Sequence, residues 1–301
     1  MQNSISVIVN ASAGRGHEQT LCEQLAALFR EGGADARIEM AREPDDVDAA
    51  VDRALARGVS TVVAGGGDGT VSAVASRLAG TDVTLGVLPL GTLNHFAKDL
   101  GLPLRLEDAV RVVMAGHAIR VDVGCVNERI FINNASLGLY PRIVRHRERQ
   151  QERLGRGKWP AFVWAAWGAL RKFPMLDVSV NVDGRSRRRQ TPFVFIGNNV
   201  YEMEGFKIGA RPRLDANCLS LYTAQRPTRV GLLLMAFHAL ARTLKQAQAF
   251  DSWCAQDILI ETRRSPVAIA IDGEITVLPS PLRLRSLPKA LRVLVPPPAA
   301  G

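Results

Sequence analysis

The chain has 301 residues, of which 47% are hydrophobic and 22% charged, a composition that excludes disordered, collagen-like and low-complexity classes and leaves an ordinary globular protein. Its 38 Lys and Arg against 29 Asp and Glu give +9 at pH 7 and a pI near 9.9, which favours an anionic partner without choosing among nucleotide, nucleic acid and an acidic membrane surface. That length suits two domains of roughly 100 to 200 residues each.

The first predicted element is ISVIV at residues 5–9, an apolar run that reads as a buried strand. The loop NASAGRG follows, and then a helix striped by Leu21, Leu25 and Leu28 and ended by Gly32 and Gly33. ARIEM is the second strand; Pro44 suits the first turn of a helix carrying Val47, Ala50, Val51, Ala54 and Leu55, which Gly58 closes. In VSTVVAGGGDGTVSAVASRL, the run STVVA is a strand, the glycines are a turn, and Val71, Val74, Ala75 and Leu78 follow helical spacing. VTLGVL, PLGT and a stripe of Leu93, Phe96, Ala97 and Leu100 repeat the pattern once more, with Gly101 and Pro103 as stop signals.

Strands alternating with helices predict parallel β-α-β units, whose post-strand loops gather along one sheet edge. Open α/β sheets bind ligands at that edge. Glycine admits close backbone approach and the next helix offers a partly positive N-terminus, so the guest these loops favour is phosphate. An acid among bound phosphates is repelled unless a cation intervenes, which points to Mg²⁺ at Asp68; the bland alternative is a tight turn with Asp68 as helix N-cap. Neither G-x-x-x-x-G-K-[ST], G-x-G-x-x-G nor D-F-G is present.

The latter half reads differently. VDVGCVNERIFI, DVSVNVDGRSRRRQTPFVFI and VAIAIDGEITVL alternate apolar and polar residues about turn dipeptides, as hairpins do. Two helical runs, Trp159 to Phe173 and Thr228 to Phe250, interrupt them. Cys22, Cys125, Cys218 and Cys254 are scattered and form no C-x-x-C pair, so neither a zinc site nor a disulfide framework is expected and a reducing cytoplasm fits. No secretory leader pattern opens the chain. WPAFVWAAWGAL and VGLLLMAFHALA fall short of the roughly 20 apolar residues that span a bilayer, so membrane contact is expected to be peripheral.

GGDGT (Gly66 to Thr70), followed by LPLGTLNHFAKDLGLP (Leu88 to Pro103), resembles the catalytic domain of the diacylglycerol kinase family, which includes sphingosine, ceramide and bacterial lipid kinases. NASAG (Asn10 to Gly14) resembles that family's first nucleotide loop, with Ala11 where proline is common, and IAIDGEI (Ile269 to Ile275) resembles its D-G-E hairpin. GGDGT alone is shared with NAD kinases and is similar to a phosphofructokinase loop; the pattern P-x-G-T-x-N-x-F-A-x-x-L-G is typical of the lipid kinases.

The resemblance implies an α/β N-terminal nucleotide-binding domain, Rossmann-like and of the NAD kinase or phosphofructokinase type, over residues 1–124. A β-rich sandwich domain for the lipid would occupy 125–288, with 289–301 returning to the first domain and the active cleft between the two. It implies ATP and Mg²⁺ as cofactors and transfer of the γ-phosphate to a hydroxyl of a diacylglycerol-like or sphingoid lipid. Nucleotide contacts would come from Asn10, Gly14, Gly65, Gly66, Gly67, Gly69, Thr70, Gly91, Thr92 and Asn94, and metal contacts from Asp68 and Asp122. Phosphoryl transfer needs positioning, charge neutralisation and a base. Asp68, Asp272 and Glu274 are the catalytic candidates, with Glu274 as the base; an Asp-Gly hairpin turn bearing a surface acid is the bland alternative for the last two.

This chain departs from the family pattern at His95, where an aspartate is common, and in RLDANCLSLY, where Asp215 remains and Ala216 and Ser220 replace other acids. Arg142, Arg145, Arg149, Arg153 and Arg156 recur every three or four residues and would line one helical face for an anionic membrane; Trp159, Phe162, Val163 and Leu170 follow beside them. The expected partners are the lipid substrate and the inner membrane face, reached peripherally from the cytoplasm, with room for a homodimer. Nucleic acid is not expected, because no recognition motif accompanies the arginines. The alternatives are an NAD kinase-like enzyme and a non-catalytic lipid- or nucleotide-binding homologue.

Overall fold

A computed structural model describes residues 4–11, 18–138, 175–182, 184–202, 210–224 and 250–298. The first half alternates strand and helix as its periodicity predicts: β1 (Ile5–Asn10), α1 (Glu18–Glu31), β2 (Ala36–Ala41), α2 (Pro44–Ala56), β3 (Thr61–Gly66), α3 (Asp68–Leu78), β4 (Thr84–Pro89), α4 (His95–Asp99) and α5 (Leu106–Ala115). β1, β3 and β4 are almost wholly buried, as central parallel strands with both faces covered must be. α2 begins on Pro44 with reciprocal capping between Glu43 and Asp46, buries Val47, Ala50, Val51 and Ala54, and ends at Gly58 with φ 69°, a left-handed turn that favours glycine. α5, absent from the sequence-based reading, buries Ala109, Val110, Val112 and Val113.

Two local expectations are corrected. Leu93 is not part of the α4 stripe: the helix starts at His95, and Leu93 stands 58% exposed in the preceding loop. Left-handed Asn94, with φ 52°, breaks the helix before Leu93 could join its buried face. Gly65 and Gly66 belong to the end of β3 and not to the turn.

The second half is strand-rich: β5 (Ala118–Val126), β6 (Arg129–Phe131), β7 (Asn134–Gly138), β8 (Leu176–Val182), β9 (Arg185–Thr191), β10 (Phe193–Asn198), β11 (Leu219–Ala224), β12 (Phe250–Ala255), β13 (Asp257–Thr262), β14 (Val267–Ile271), β15 (Glu274–Leu278) and β16 (Leu282–Leu294). The helical runs expected at 159–173 and 228–249 lie outside the described residues; Phe250, assigned to the second of them, opens β12 instead. A six-stranded antiparallel sheet runs β12-β11-β10-β7-β14-β15. A ten-stranded sheet follows the path β2-β1-β3-β4-β16-β13-β8-β9, with β5 pairing β16 and β6.

β16 joins the two halves. It is antiparallel to β13 at Leu282 to Arg285 and parallel to β4 at Arg292 and Val293, with a bulge between Leu287 and Leu291 against β5. Position 124 therefore falls inside β5, and the backbone ladder continues from the α/β half into the sandwich. Between the two sheets, Val178, Val180, Ile258, Ile260, Leu282 and Leu284 meet Leu137, Ile196, Leu221 and Ile269 in one apolar cluster, the interdigitated interior of a β-sandwich.

The cysteine expectation is also corrected: Cys218 and Cys254 form a disulfide, with Cα atoms 5.6 Å apart. Their 36-residue separation hid the pairing, because only the β11–β12 ladder, in which Ser220 faces Cys254, brings the two together. Cys22 and Cys125 are free thiols.

Candidate functional site

β3 and β4 deliver their glycine loops to the same sheet edge. The Gly66 carbonyl accepts hydrogen bonds from the amides of Leu90 (3.0 Å) and Gly91 (3.1 Å), tying the second loop to the end of β3. A Cβ on Gly91 would lie 2.4 Å from the Gly67 Cα, so the loops meet backbone to backbone. Gly67 caps α3 without any side-chain hydrogen bond, which leaves the first-turn amides facing out at the positive end of the helix, the arrangement that suits phosphate. Gly91→Ala is expected to force the loops apart at a cost of about 1–3 kcal/mol. A lowered urea midpoint and weakened nucleotide binding would show this, whereas wild-type values for both would mean the loops tolerate separation.

The remaining nucleotide candidates divide between surface and scaffold. Gly69 and Thr92 are exposed, while Thr70 and Asn94 are buried. Asn10 Nδ2 donates to Thr70 Oγ1 at 3.2 Å, linking β1 to α3. The Asn94 side chain accepts from the Gly91 amide at 3.1 Å and donates to the Pro89 and Gly91 carbonyls at 3.3 and 2.8 Å. These bonds build the loop. Gly14 lies outside the described residues.

Asp68 opens α3 half-buried, and its Oδ1 accepts the Phe96 amide at 3.4 Å, so the acid also locates α4. Across from it, Ile271 pairs with Glu274 around a two-residue Asp272–Gly273 turn, both with positive φ (46° and 93°), as the tight primed hairpin demands. Exposed Glu274 reaches over the α3 turn: its Oε1 is 3.8 Å from where a Gly69 Cβ would stand. One acid from each half thus flanks the glycine turn.

Asp272, expected to react beside Glu274, makes contacts that hold the hairpin in place. Its Oδ1 accepts the amides of Asn133 (2.8 Å) and Asn134 (2.9 Å), and its Oδ2 accepts the Ile132 amide (2.9 Å) and the Ser72 hydroxyl (2.5 Å). Burial pushes its carboxyl above the usual range, against the downward pull of those four donors. Through Ser72 the carboxylate bolts the hairpin to α3.

Asp122, expected as a metal contact, sits among backbone amides in the same way. It is 2% exposed, and its oxygens are taken by the amides of Asn217 (2.5 Å) and Lys289 (2.9 Å), so it anchors the β16 bulge. Among the described residues no three His, Cys, Asp or Glu side chains converge on a metal position. A Mg²⁺ carried by nucleotide phosphates needs only one or two protein carboxylates, and Asp68 meets that requirement beside the uncapped α3 turn. His95 is exposed, and Asp215 pairs with Arg213 at 3.0 Å. The arginines at 142–156 lie outside the described residues.

Sequence reading missed a buried polar connection between the two halves. The Arg211 side chain has no solvent exposure and pairs at 2.7 Å with Asp99, itself 8% exposed, at the end of α4. Its Nη1 donates to the carbonyls of Ile132 (2.6 Å) and Asn198 (3.3 Å), and its Nη2 to Asn133 Oδ1 (2.8 Å). The guanidinium also lies 5.9 Å from the Phe96 ring centre and 5.5 Å from that of Tyr201, within cation–π range. Since Phe96 meets Asp68, and Ile132 and Asn133 meet Asp272, one buried cation joins the scaffolds of both acids. A lone arginine has no periodicity or spacing that marks it in sequence.

Residues 4–126 match a diacylglycerol kinase catalytic domain, and residues 136–295 match a YegS C-terminal NAD kinase beta sandwich-like domain. A "Probable lipid kinase YegS-like" protein of Klebsiella pneumoniae (strain 342) is 38% identical over 134 residues, covering 44% of this chain and 45% of the relative. "Probable lipid kinase YegS" of Escherichia fergusonii is 38% identical over 136 residues, 44% of this chain and 46% of the relative. The match thus spans about half the length of these curated relatives. A solved structure described as a diacylglycerol kinase from Bacillus anthracis str. Sterne superposes with a TM-score of 0.74 at 22% identity, covering 99% of both chains, a likeness of fold. Among the described residues no helix is long and apolar enough to cross a membrane.

Proposed function

Since the chain belongs to the family that joins a diacylglycerol kinase catalytic domain to a YegS C-terminal NAD kinase beta sandwich-like domain, we propose that it is an ATP-dependent, Mg²⁺-requiring lipid kinase. The acceptor is the hydroxyl of a diacylglycerol-like or sphingoid lipid, and the enzyme works peripherally at the inner membrane face in phospholipid metabolism. The observation that carries this reading is the juxtaposition of Glu274 with the Gly69 turn, one residue from Asp68.

In this reading the bare backbone of Gly67, Gly69 and Gly91, with Thr92 beside it, receives the nucleotide phosphates, which the α3 dipole favours. Mg²⁺, when bound with ATP, supplies charge neutralisation at the phosphates, and Asp68 is the residue that would hold it. Glu274 accepts the proton of the lipid hydroxyl as that oxygen attacks the γ-phosphorus and the bond from phosphorus to the β-phosphate oxygen breaks, with ADP as the leaving group. A carboxylate on a rigid two-residue hairpin, bolted through Asp272 to α3, keeps its place relative to the phosphate loop. Such positioning is most of what phosphoryl transfer asks of a protein.

The test is phosphate transfer from labelled ATP with Mg²⁺ to diacylglycerol, sphingosine, ceramide, phosphatidylglycerol and NAD, each acceptor offered separately. A labelled lipid that disappears in Glu274→Gln is the expected result. Label on NAD and on no lipid would replace this reading with an NAD kinase. Nucleotide binding without transfer to any acceptor would favour a non-catalytic binding protein.

A further inference from the structure

The far edge of the ten-stranded sheet carries charge that catalysis does not use. Among the described residues β9 pairs only with β8 and lies at the end of the strand order. The register sets Arg187 beside Val180 and Arg189 beside Val178, while Arg188 lies beside Ser179. Successive strand residues face opposite ways, so the edge presents cations on both sides. Thr262 also faces Val178 from β13, which brings Arg263 and Arg264 to the same corner.

Four of these five arginines are exposed, and Arg189 is half-buried. Two carboxylates accompany them. Asp177 holds Arg188 through bonds of 2.8 and 2.5 Å and also feels Arg263; Glu261 is exposed. Among the described residues no ion pair engages Arg187 or Arg264. Met175, 38% exposed, stands directly before β8 at this end, adding an apolar tip to the basic corner.

Excess cations around an exposed apolar side chain match the anionic, interfacial chemistry of a phospholipid surface. Arginines on both faces of an edge strand oppose its pairing with a second copy. Neither β8 nor β9 contains an aromatic residue on which bases could stack, so nucleic acid fits less well. We propose that the β8–β9 edge, with Arg263 and Arg264, is a docking surface for an anionic phospholipid membrane. It uses none of the 142–156 arginines and does not depend on the kinase reading.

The experiment is cosedimentation of the full chain with vesicles of phosphatidylglycerol and phosphatidylcholine, and with phosphatidylcholine alone. Wild type and the triple variant Arg187→Gln, Arg263→Gln, Arg264→Gln are compared, with matched circular dichroism. Each basic group near an anionic leaflet contributes about fivefold to partitioning, so the triple variant should bind the anionic vesicles on the order of a hundredfold more weakly. The corresponding triple lysine variant should keep most of the binding, and phosphatidylcholine alone should capture neither. Wild-type binding by the glutamine variant, or no binding by wild type, would overturn the proposal. A wild-type preference for a DNA duplex over the anionic vesicles, lost in the glutamine variant, would reassign the surface to nucleic acid. Vesicle binding with no lipid phosphorylated would leave this surface standing and remove only the kinase reading.

Discussion

Asp68→Asn is expected to lower phosphoryl transfer about a thousandfold, on the order of 4 kcal/mol of transition-state stabilisation, with little change in the fold. The amide keeps an oxygen where Asp68 Oδ1 accepts the Phe96 amide at 3.4 Å, so α4 stays located while the negative charge disappears. What is lost is the protein carboxylate that would hold nucleotide-borne Mg²⁺. Raising Mg²⁺ should therefore restore part of the rate, seen as a shifted Mg²⁺ titration. Glu274→Gln gives a contrasting signature. Removing a general base lowers kcat by about 10²–10⁴-fold, and here the Mg²⁺ dependence should stay at its wild-type position, because in this reading Glu274 takes the proton and does not hold the metal. Full activity in Asp68→Asn would sink the metal assignment, and identical Mg²⁺ titrations for the two variants would merge the two roles.

The largest stability effect is expected at Arg211. Arg211→Met removes a cation with no solvent exposure, leaves the Asp99 carboxylate with the residue 211 amide but no countercharge from that side chain, and strands Asn133 Oδ1, while the Ile132 carbonyl keeps its bond from Asn198 Nδ2. Breaking one side of such a pair costs about 3–5 kcal/mol, a large share of the roughly 5–15 kcal/mol that holds a typical domain. The urea midpoint should fall accordingly. Asp99→Leu combined with Arg211→Met should recover much of the loss, since it removes both charges together. Turnover should stay depressed in that double variant, because the link from α4 to the Ile132–Asn133 turn beneath Asp272 is still missing. A single Arg211→Met variant within about 1 kcal/mol of wild type would show that water or rearrangement replaces the cation.

How far the site was legible in sequence depended on whether each residue's role is local. The Asp272–Gly273 turn announces itself because its positive φ angles select the residue type, and the glycine run at 65–67 because it interrupts two periodic segments. Glu274 could be chosen because it follows such a turn. The scaffold contacts of Asp272 and Asp122 were hidden for a common reason: an acid in a motif looks the same whether its oxygens face a ligand or accept backbone amides. The donors that decide the matter are far away in sequence, Ile132, Asn133 and Asn134 for one, Asn217 and Lys289 for the other. Leu93 failed more locally, because the left-handed backbone at Asn94 overrode an apparent helical stripe.

By itself, the order of residues determined the alternation of strand and helix in the first half, the hairpins of the second, and the glycine loops that meet at one sheet edge. Periodicity and turn chemistry act over a few residues, so they can be read without knowing what lies opposite. Tertiary structure alone decided that β16 would run from one half into the other, that Cys218 would meet Cys254, and that Arg211 would be buried between Asp99 and the Asn133 turn. Those outcomes depend on which distant surfaces exclude water together. A buried charge is stable only where its partner is already in place, and a disulfide forms only where two thiols are brought together; both partners are supplied by the packing of the whole chain.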